Sequence, residues 1–282
     1  MHRTGMTMSR AINAVSWRLR RIGFLLRHEI LRAPPYVMRY HGFEVVYHPG
    51  DVLVRSYSIR GYWERHVLNY VRSVVSPPAV IVDVGANIGL FSFAVLEALP
   101  GTQAHLFEPS PVPRACLAAS LARNGLSARA RLNPVALYSE SCDLEFHVHR
   151  GQHSAYDGIR DTRYESAGAA CQIRVRATTL DRYCQEAGLD RLDLLKIDAE
   201  GAELCVLRGA EQTLRTLRPL VLFEVGLQNL APYGFRPADL HQFFTARGYV
   251  VQTLGRDSLK VSEFERAVES EHEFAAVPVA SA

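Results

Sequence analysis

The sequence predicts an α/β fold built on a parallel sheet, and three stretches carry that expectation. The first is residues 79–94, AVIVDVGANIGLFSFA. There the apolar run Val80-Ile81-Val82 ends in Asp83, a glycine-bearing turn follows, and a second apolar run reads as a helix. The second is a short strand, Gln103–Glu108, that closes on Phe107-Glu108-Pro109-Ser110. The third is the strand Leu192–Asp198, which runs into Ala199-Glu200-Gly201-Ala202-Glu203. Buried strands alternating with helical stretches are the pattern of βαβ units.

Taken in order, residues 1–35 hold seven arginines against one acid, Glu29, and place Ile12, Val15, Leu19, Ile22 and Leu26 at three- and four-residue steps. That is one face of an amphipathic helix, stopped before Pro34-Pro35. It is expected to pack on the domain or on a second copy of the chain, with peripheral membrane contact through residues 9–32 as the alternative. Only Trp17 and Phe24 are interleaved with these arginines, few for base stacking, which argues against nucleic acid as a partner. Residues 36–78 read as a hairpin turning at His48-Pro49-Gly50-Asp51, then a helix over 62–75. The catalytic domain is expected to begin after Ser76-Pro77-Pro78 and to cover 79–264.

At the turn after Val82, Gly85 can take φ > 0 and has no Cβ to keep a ligand away. Bare N–H groups and a helix N-terminus are expected there, at the carboxyl end of a strand, where open α/β sheets bind ligands. A dinucleotide fingerprint needs Gly-x-Gly-x-x-Gly. Here Asn87 takes the place of the second glycine, and Asp83 stands two residues before the first. That acid would repel a pyrophosphate but hold an ammonium. The spacing therefore points to S-adenosylmethionine, with Asp83 and Asn87 at its methionine end and Gly85, Ala86 and Gly89 shaping the turn.

Glu108 lies 25 positions after Asp83. An acid at the end of the second strand accepts both ribose hydroxyls in nucleoside-binding folds, and a carboxylate has two oxygens for a vicinal diol. Pro109 and Ser110 follow, Ser110 as an N-cap with prolines in the first turn. A third strand over Arg129–Val135 puts Val135 and Ala136 near the adenine.

Residues 140–178 interrupt the alternation with two strand-like runs, Asp143–His149 and Gln172–Arg176, around a polar stretch that includes His153 and Asp157. A long insertion at the ligand edge reads as a lid. In the strand that follows, Lys196 and Asp198 share a face by two-residue periodicity. Glu200 stands in the turn, and Glu203 is in the first turn of a helix, where negative charge is favourable. Asp198 and Glu200 are the candidate bases, with His153 a third, and Asp198 also belongs to the cofactor set. The metal question stays open, with Asp198 and Glu224 as the pair that would hold a divalent ion. Tyr249–Leu254 and Leu259–Phe264 read as a terminal strand pair, and 265–282 as a disordered tail.

The totals bound the rest. The chain has 282 residues, 48% hydrophobic, with net charge +3, enough for one large α/β domain with an appendage. Five cysteines without a Cys-x-x-Cys spacing suggest reduced thiols and a cytoplasmic location.

The motifs VIVDVGANIGLFS, LFEPSP, TTLDRY at 178–183 and LLKIDAEGAELCVLRGA, in this order, resemble the FkbM-like branch of the class I S-adenosylmethionine-dependent methyltransferases over about residues 79–255. The resemblance implies a doubly wound seven-stranded Rossmann-like sheet, cofactor on the Asp83–Gly89 turn and Glu108, and O-methylation of a hydroxyl on a sugar or secondary metabolite. A small-molecule or glycan acceptor is the implied partner; apart from the resemblance, a homo-oligomer is the further candidate partner. N-, C- or RNA methylation, or a non-catalytic binding protein at a membrane surface, are the alternatives on the same fold. The helix at 1–35 lies outside the resemblance.

Overall fold

The computed structural model describes residues 22–23, 36–48, 51–60, 64–149, 156–160 and 170–279. The basic helix expected over 1–35 and the candidate base His153 fall outside the described residues, apart from Ile22 and Gly23, which are helical and exposed.

Val37–Tyr40 (β1) and Phe43–Val46 (β2) form an antiparallel hairpin. Its turn is His41-Gly42, both at positive φ as a two-residue hairpin turn requires, and not the expected His48–Asp51. Asp51 has another task. Its Oδ1 accepts the Leu53 and Val54 N–H groups at 2.8 and 3.2 Å and so caps helix Val52–Arg60, which sequence periodicity had not separated from the hairpin. Helix Arg65–Val74 follows.

The central unit then runs Val80–Val84 (β3), helix Leu90–Ala98, Gln103–Phe107 (β4), helix Pro111–Arg123 and Ala130–Asn133 (β5). Ala136–Leu137 (β6), Asp143–His149 (β7) and Ala170–Thr178 (β8) form a separate three-stranded sheet in the order β6-β8-β7. This is the insertion that the broken alternation pointed to. Helix Leu180–Ala187, Leu194–Ile197 (β9), helices Glu203–Arg208 and Glu211–Thr216, and Leu220–Glu224 (β10) resume the α/β order. The described chain ends with helices Leu227–Leu230 and Pro237–Thr245, Tyr249–Thr253 (β11), helix Val261–Ala267 and Glu273–Pro278 (β12).

The main sheet has seven strands in the order β11-β12-β10-β9-β3-β4-β5. Neighbours pair in parallel except β12, which is antiparallel to both β10 and β11. Successive residues of each strand face opposite cores. Ile81, Ala104 and Leu194 pack with helices Arg65–Val74, Leu90–Ala98 and Pro111–Arg123, while Val82, Leu195, Val221 and Phe223 pack with the helices that follow β8, β9 and β10. The hairpin shares the first core through Tyr40 and Val45, so it and helix Arg65–Val74 are built into the same body as the sheet.

Two sequence expectations fail at the carboxyl end. Residues 261–267 are a helix, not a strand, because Glu263 accepts the Lys260 N–H at 2.7 Å and caps the helix start. The supposed tail contains β12, whose Phe274, Ala275 and Ala276 are fully buried between β10 and β11. Small residues in a short apolar run carry little periodic signal, which is why they read as a tail. Deleting residues from Glu271 onward should therefore abolish the cooperative unfolding transition, since it splits β11 from the sheet and exposes the facing edges of β10 and β11. Circular dichroism during thermal melting checks this, and a retained sharp transition would show β12 to be dispensable.

Candidate active site

Strand order places the site. From β3 the chain moves outward through β4 and β5, then returns to β9 on the other side of β3. The carboxyl ends of β3 and β9 therefore flank a topological switch point, the position where open α/β sheets bind ligands. A cavity of about 370 Å³ opens there, bordered by the turns after β3, β4 and β9, by β6, by Tyr156–Ile159 of the insertion, and by residues before the sheet.

The turn after β3 differs from expectation in how it serves the cavity. Its N–H groups are not bare. Those of Gly85 and Ala86 both donate to the Phe107 carbonyl at 3.0 Å, that of Asn87 to Glu108 Oε2 at 2.8 Å, and that of Gly89 to the Ala86 carbonyl at 2.8 Å. Gly85 has φ +75°, and an added Cβ would lie 1.9 Å from the Asp198 carbonyl oxygen. The missing side chain thus makes room for the end of β9 rather than for a ligand. Gly89 lies away from the cavity and lets Leu117 and Phe93 close over the helix start.

Asp83 is also displaced from its expected place. It is fully buried, does not line the cavity, accepts the Ser92 hydroxyl at 2.6 Å, and stands 3.8 Å from Lys196 Nζ. In the β3–β9 register Asp83 is paired with Lys196, so both lie on the face covered by helix Leu90–Ala98. Lys196 also donates to Asp198 Oδ2 at 2.9 Å and lies 5.5 Å from the Phe91 ring centre. Burial works against its charge, but Asp198, Asp83 and Glu64 outweigh burial and raise its pKa.

Glu108 stands where expected. Its two oxygens accept the Asn87 and Ser110 N–H groups at 2.8 and 2.7 Å, and burial still pushes its pKa up to about 8. Pro109, Val135 and Ala136 line the cavity beside it. Ser110 does not. Its hydroxyl donates to Asp157 Oδ2 at 2.6 Å and ties the insertion to this turn.

On the opposite side, Asp198 and Glu200 both border the cavity. Glu200 has φ +49°, and its Oε2 accepts Asn229 Nδ2 at 2.7 Å. Burial, then Asp198 and Glu203, raise its pKa well above the ordinary carboxylate range. Glu203 does not reach the cavity. Its Oε1 accepts the Ala199 and Gly201 N–H groups and braces the turn. Sequence reasoning placed Glu224 near this edge, and it lines the cavity, its pKa raised first by Asp198 and then by burial. It missed Glu64, before helix Arg65–Val74, and Glu273, at the start of β12. Neither carried a local signal, since both reach the cavity only through tertiary packing. Among the described residues, no group of three or more His, Cys, Asp or Glu side chains is arranged to hold a metal ion.

Residues 83–251 match the sequence profile of the Methyltransferase FkbM domain. The chain belongs to the FkbM methyltransferase family. It is 32% identical over 181 residues to Methyltransferase sdnD of Sordaria araneosa, covering 56% of this chain and 68% of that protein. It is 32% identical over 163 residues to 2-O-methyltransferase NoeI of Sinorhizobium fredii, covering 52% and 65%. It is 31% identical over 159 residues to 31-O-demethyl-FK506 methyltransferase FkbM of Streptomyces tacrolimicus, covering 48% and 60%. The aligned region thus spans about two thirds of the length of these curated relatives.

Membership in the FkbM family gives methyl transfer as the activity and S-adenosylmethionine as the cofactor. The residues present fit that cofactor. Glu64, Glu108, Asp157, Asp198, Glu200, Glu224 and Glu273 face the cavity, with Lys196 the single lysine or arginine among the described lining residues. Such an excess of carboxylates suits a ligand with a sulfonium and an ammonium, and apolar Val135, Leu137 and Phe146 also line the cavity.

Proposed function

We propose that this FkbM-family chain transfers methyl groups to an oxygen, on a hydroxyl of a sugar or secondary metabolite. The observation that carries the reading is Glu200, a cavity-lining carboxyl whose proton affinity is raised well above its usual value. A hydroxyl acceptor has a high pKa, and a base of raised proton affinity serves its proton better than an ordinary carboxylate. The relatives named 2-O-methyltransferase and 31-O-demethyl-FK506 methyltransferase support oxygen as the acceptor atom.

When bound, S-adenosylmethionine supplies a methyl carbon already made electrophilic by its sulfonium. The protein aligns an acceptor oxygen, excludes water and removes a proton. In this reading Glu108 takes the ribose hydroxyls on the lone pairs that the Asn87 and Ser110 amides leave free. Asp198 and Glu64, with Asn87 also lining the cavity, would face the methionine ammonium in place of the buried Asp83. Asp198 Oδ2 is held by Lys196 and its other oxygen is assigned to the ammonium, so Glu200 is the better base. Tyr156 and Asp157 cover the cavity from the insertion.

Incubation with S-adenosylmethionine and a panel of methyl glycosides, polyhydroxylated aromatics and primary amines, read as S-adenosylhomocysteine release, tests the function. Turnover confined to amines would overturn it. Glu108→Ala should weaken S-adenosylhomocysteine binding by about 100-fold, roughly the worth of one charge-assisted contact pair, without loss of fold. Calorimetry that finds unchanged affinity would remove Glu108 from the ribose role.

A further inference from the structure

Glu200 is gripped by one buried side chain from outside the cavity. After β10 the chain turns at Gly226 into the short helix Leu227–Leu230, and this places Asn229, 4% exposed, against the turn after β9. Asn229 Nδ2 donates to Glu200 Oε2 at 2.7 Å, the one hydrogen bond that the described residues supply to the Glu200 side chain. The backbones meet just as closely. A Cβ on Gly201, which has φ +96°, would lie 2.0 Å from the Asn229 carbonyl oxygen, so only glycine lets the turn settle there. From the other side Gly158 of the insertion approaches, its virtual Cβ 3.3 Å from Glu200 Cβ.

An ionised carboxylate only accepts hydrogen bonds, so the amide must present its N–H groups to Glu200. The far end of that amide then bears the cost, for Asn229 Oδ1 is buried and finds no donor among the described residues. A buried acceptor left unmet calls for an explanation beyond stability. Orientation of Glu200 provides one.

We propose that Asn229 is a positioning residue for proton transfer: its side-chain N–H fixes one carboxylate oxygen of Glu200 and leaves the other to face the acceptor hydroxyl. The inference rests on Glu200 as the base. Donation to the ionised form also restrains the rise in proton affinity imposed by the surroundings. Asp198 and Glu203 face Glu200 from its own turn, Asp157 from the insertion and Glu224 from β10, against Lys196 on β9. Among the described residues, Asn229 is the neutral side chain that hydrogen-bonds Glu200 amid these carboxylates.

The test uses the full chain labelled with [5-¹³C]glutamate, saturated with S-adenosylhomocysteine and titrated by NMR. Glu200→Gln identifies the Glu200 signal by its disappearance. In Asn229→Leu, which removes the donor to Glu200 together with the unmet Asn229 Oδ1, the Glu200 titration should move up by about one pH unit or more, while the Glu108 signal stays in place. Asn229→Asp keeps the side-chain size should the leucine variant fail to fold, and it should move Glu200 upward as well. A Glu200 titration that is unmoved in either folded variant overturns the role of Asn229. Turnover separates this from the base assignment. If Glu200→Gln is inactive while the titration is unmoved, Glu200 stands as base and Asn229 does not position it. If Glu200→Gln retains wild-type turnover, the base assignment falls and the proposal with it.

Discussion

Lys196→Met is expected to lose stability, by about 3–5 kcal/mol at pH 8, the usual cost of removing one partner from a buried ion pair, and to recover part of it at pH 5. The side chain lies between Asp198 Oδ2 at 2.9 Å and the fully buried Asp83 at 3.8 Å. Burial already raises the Asp83 pKa, with Lys196 and the Ser92 hydroxyl opposing it. Without the ammonium, the folded-state pKa of Asp83 rises further above its unfolded value of roughly 4. A carboxyl raised in the folded state takes up a proton on folding. Its penalty is absent below the unfolded pKa and grows as pH rises toward the folded pKa. Methionine fills a similar volume, so packing loss is the smaller part. Urea denaturation of both proteins at pH 5, 6.5 and 8 checks the sign. A loss equal at all three values would mean that packing, and not charge, dominates.

Much of this arrangement was legible because it follows from short periodic stretches. The Val80–Asp83 strand and the Glu108 strand end follow from short apolar runs, the Lys196–Asp198 face from two-residue alternation, and each stands at the cavity or directly beneath it. Which acid faces outward was not legible. Asp83 and Asp198 both follow apolar runs, yet register pairs Asp83 with Lys196 under Ser92, while Asp198 stands past the strand end. Nor did Gly85 reveal its partner, since the atom that excludes a side chain there belongs to Asp198, 113 positions on. Glu64, Glu273 and Asn229 lie outside the strand ends that the fold class marks, and packing alone brings them to the site. In the last case the hydrophobic pattern of the short helix gives no hint that its one buried amide turns toward Glu200.

Glu200→Gln should reduce turnover by about 10²- to 10⁴-fold, the range that general-base catalysis supplies, while changing S-adenosylhomocysteine affinity by less than about threefold. Glutamine keeps the shape and the contact with Asn229 but has no proton affinity to offer. The pH dependence separates the base from a structural carboxylate. With its pKa raised by burial and then by Asp198 and Glu203, Glu200 must ionise to act and does so at higher pH than an ordinary carboxylate. Wild-type turnover should therefore climb with pH through a group displaced above the ordinary carboxylate range, and that limb should vanish in Glu200→Gln. Asp198→Asn provides the contrast. Its carboxylate is engaged with Lys196, so this change should weaken cofactor binding more than the chemical step and leave the limb in place. If the limb follows Asp198 instead, the Lys196 ion pair opens during turnover and Asp198 is the base.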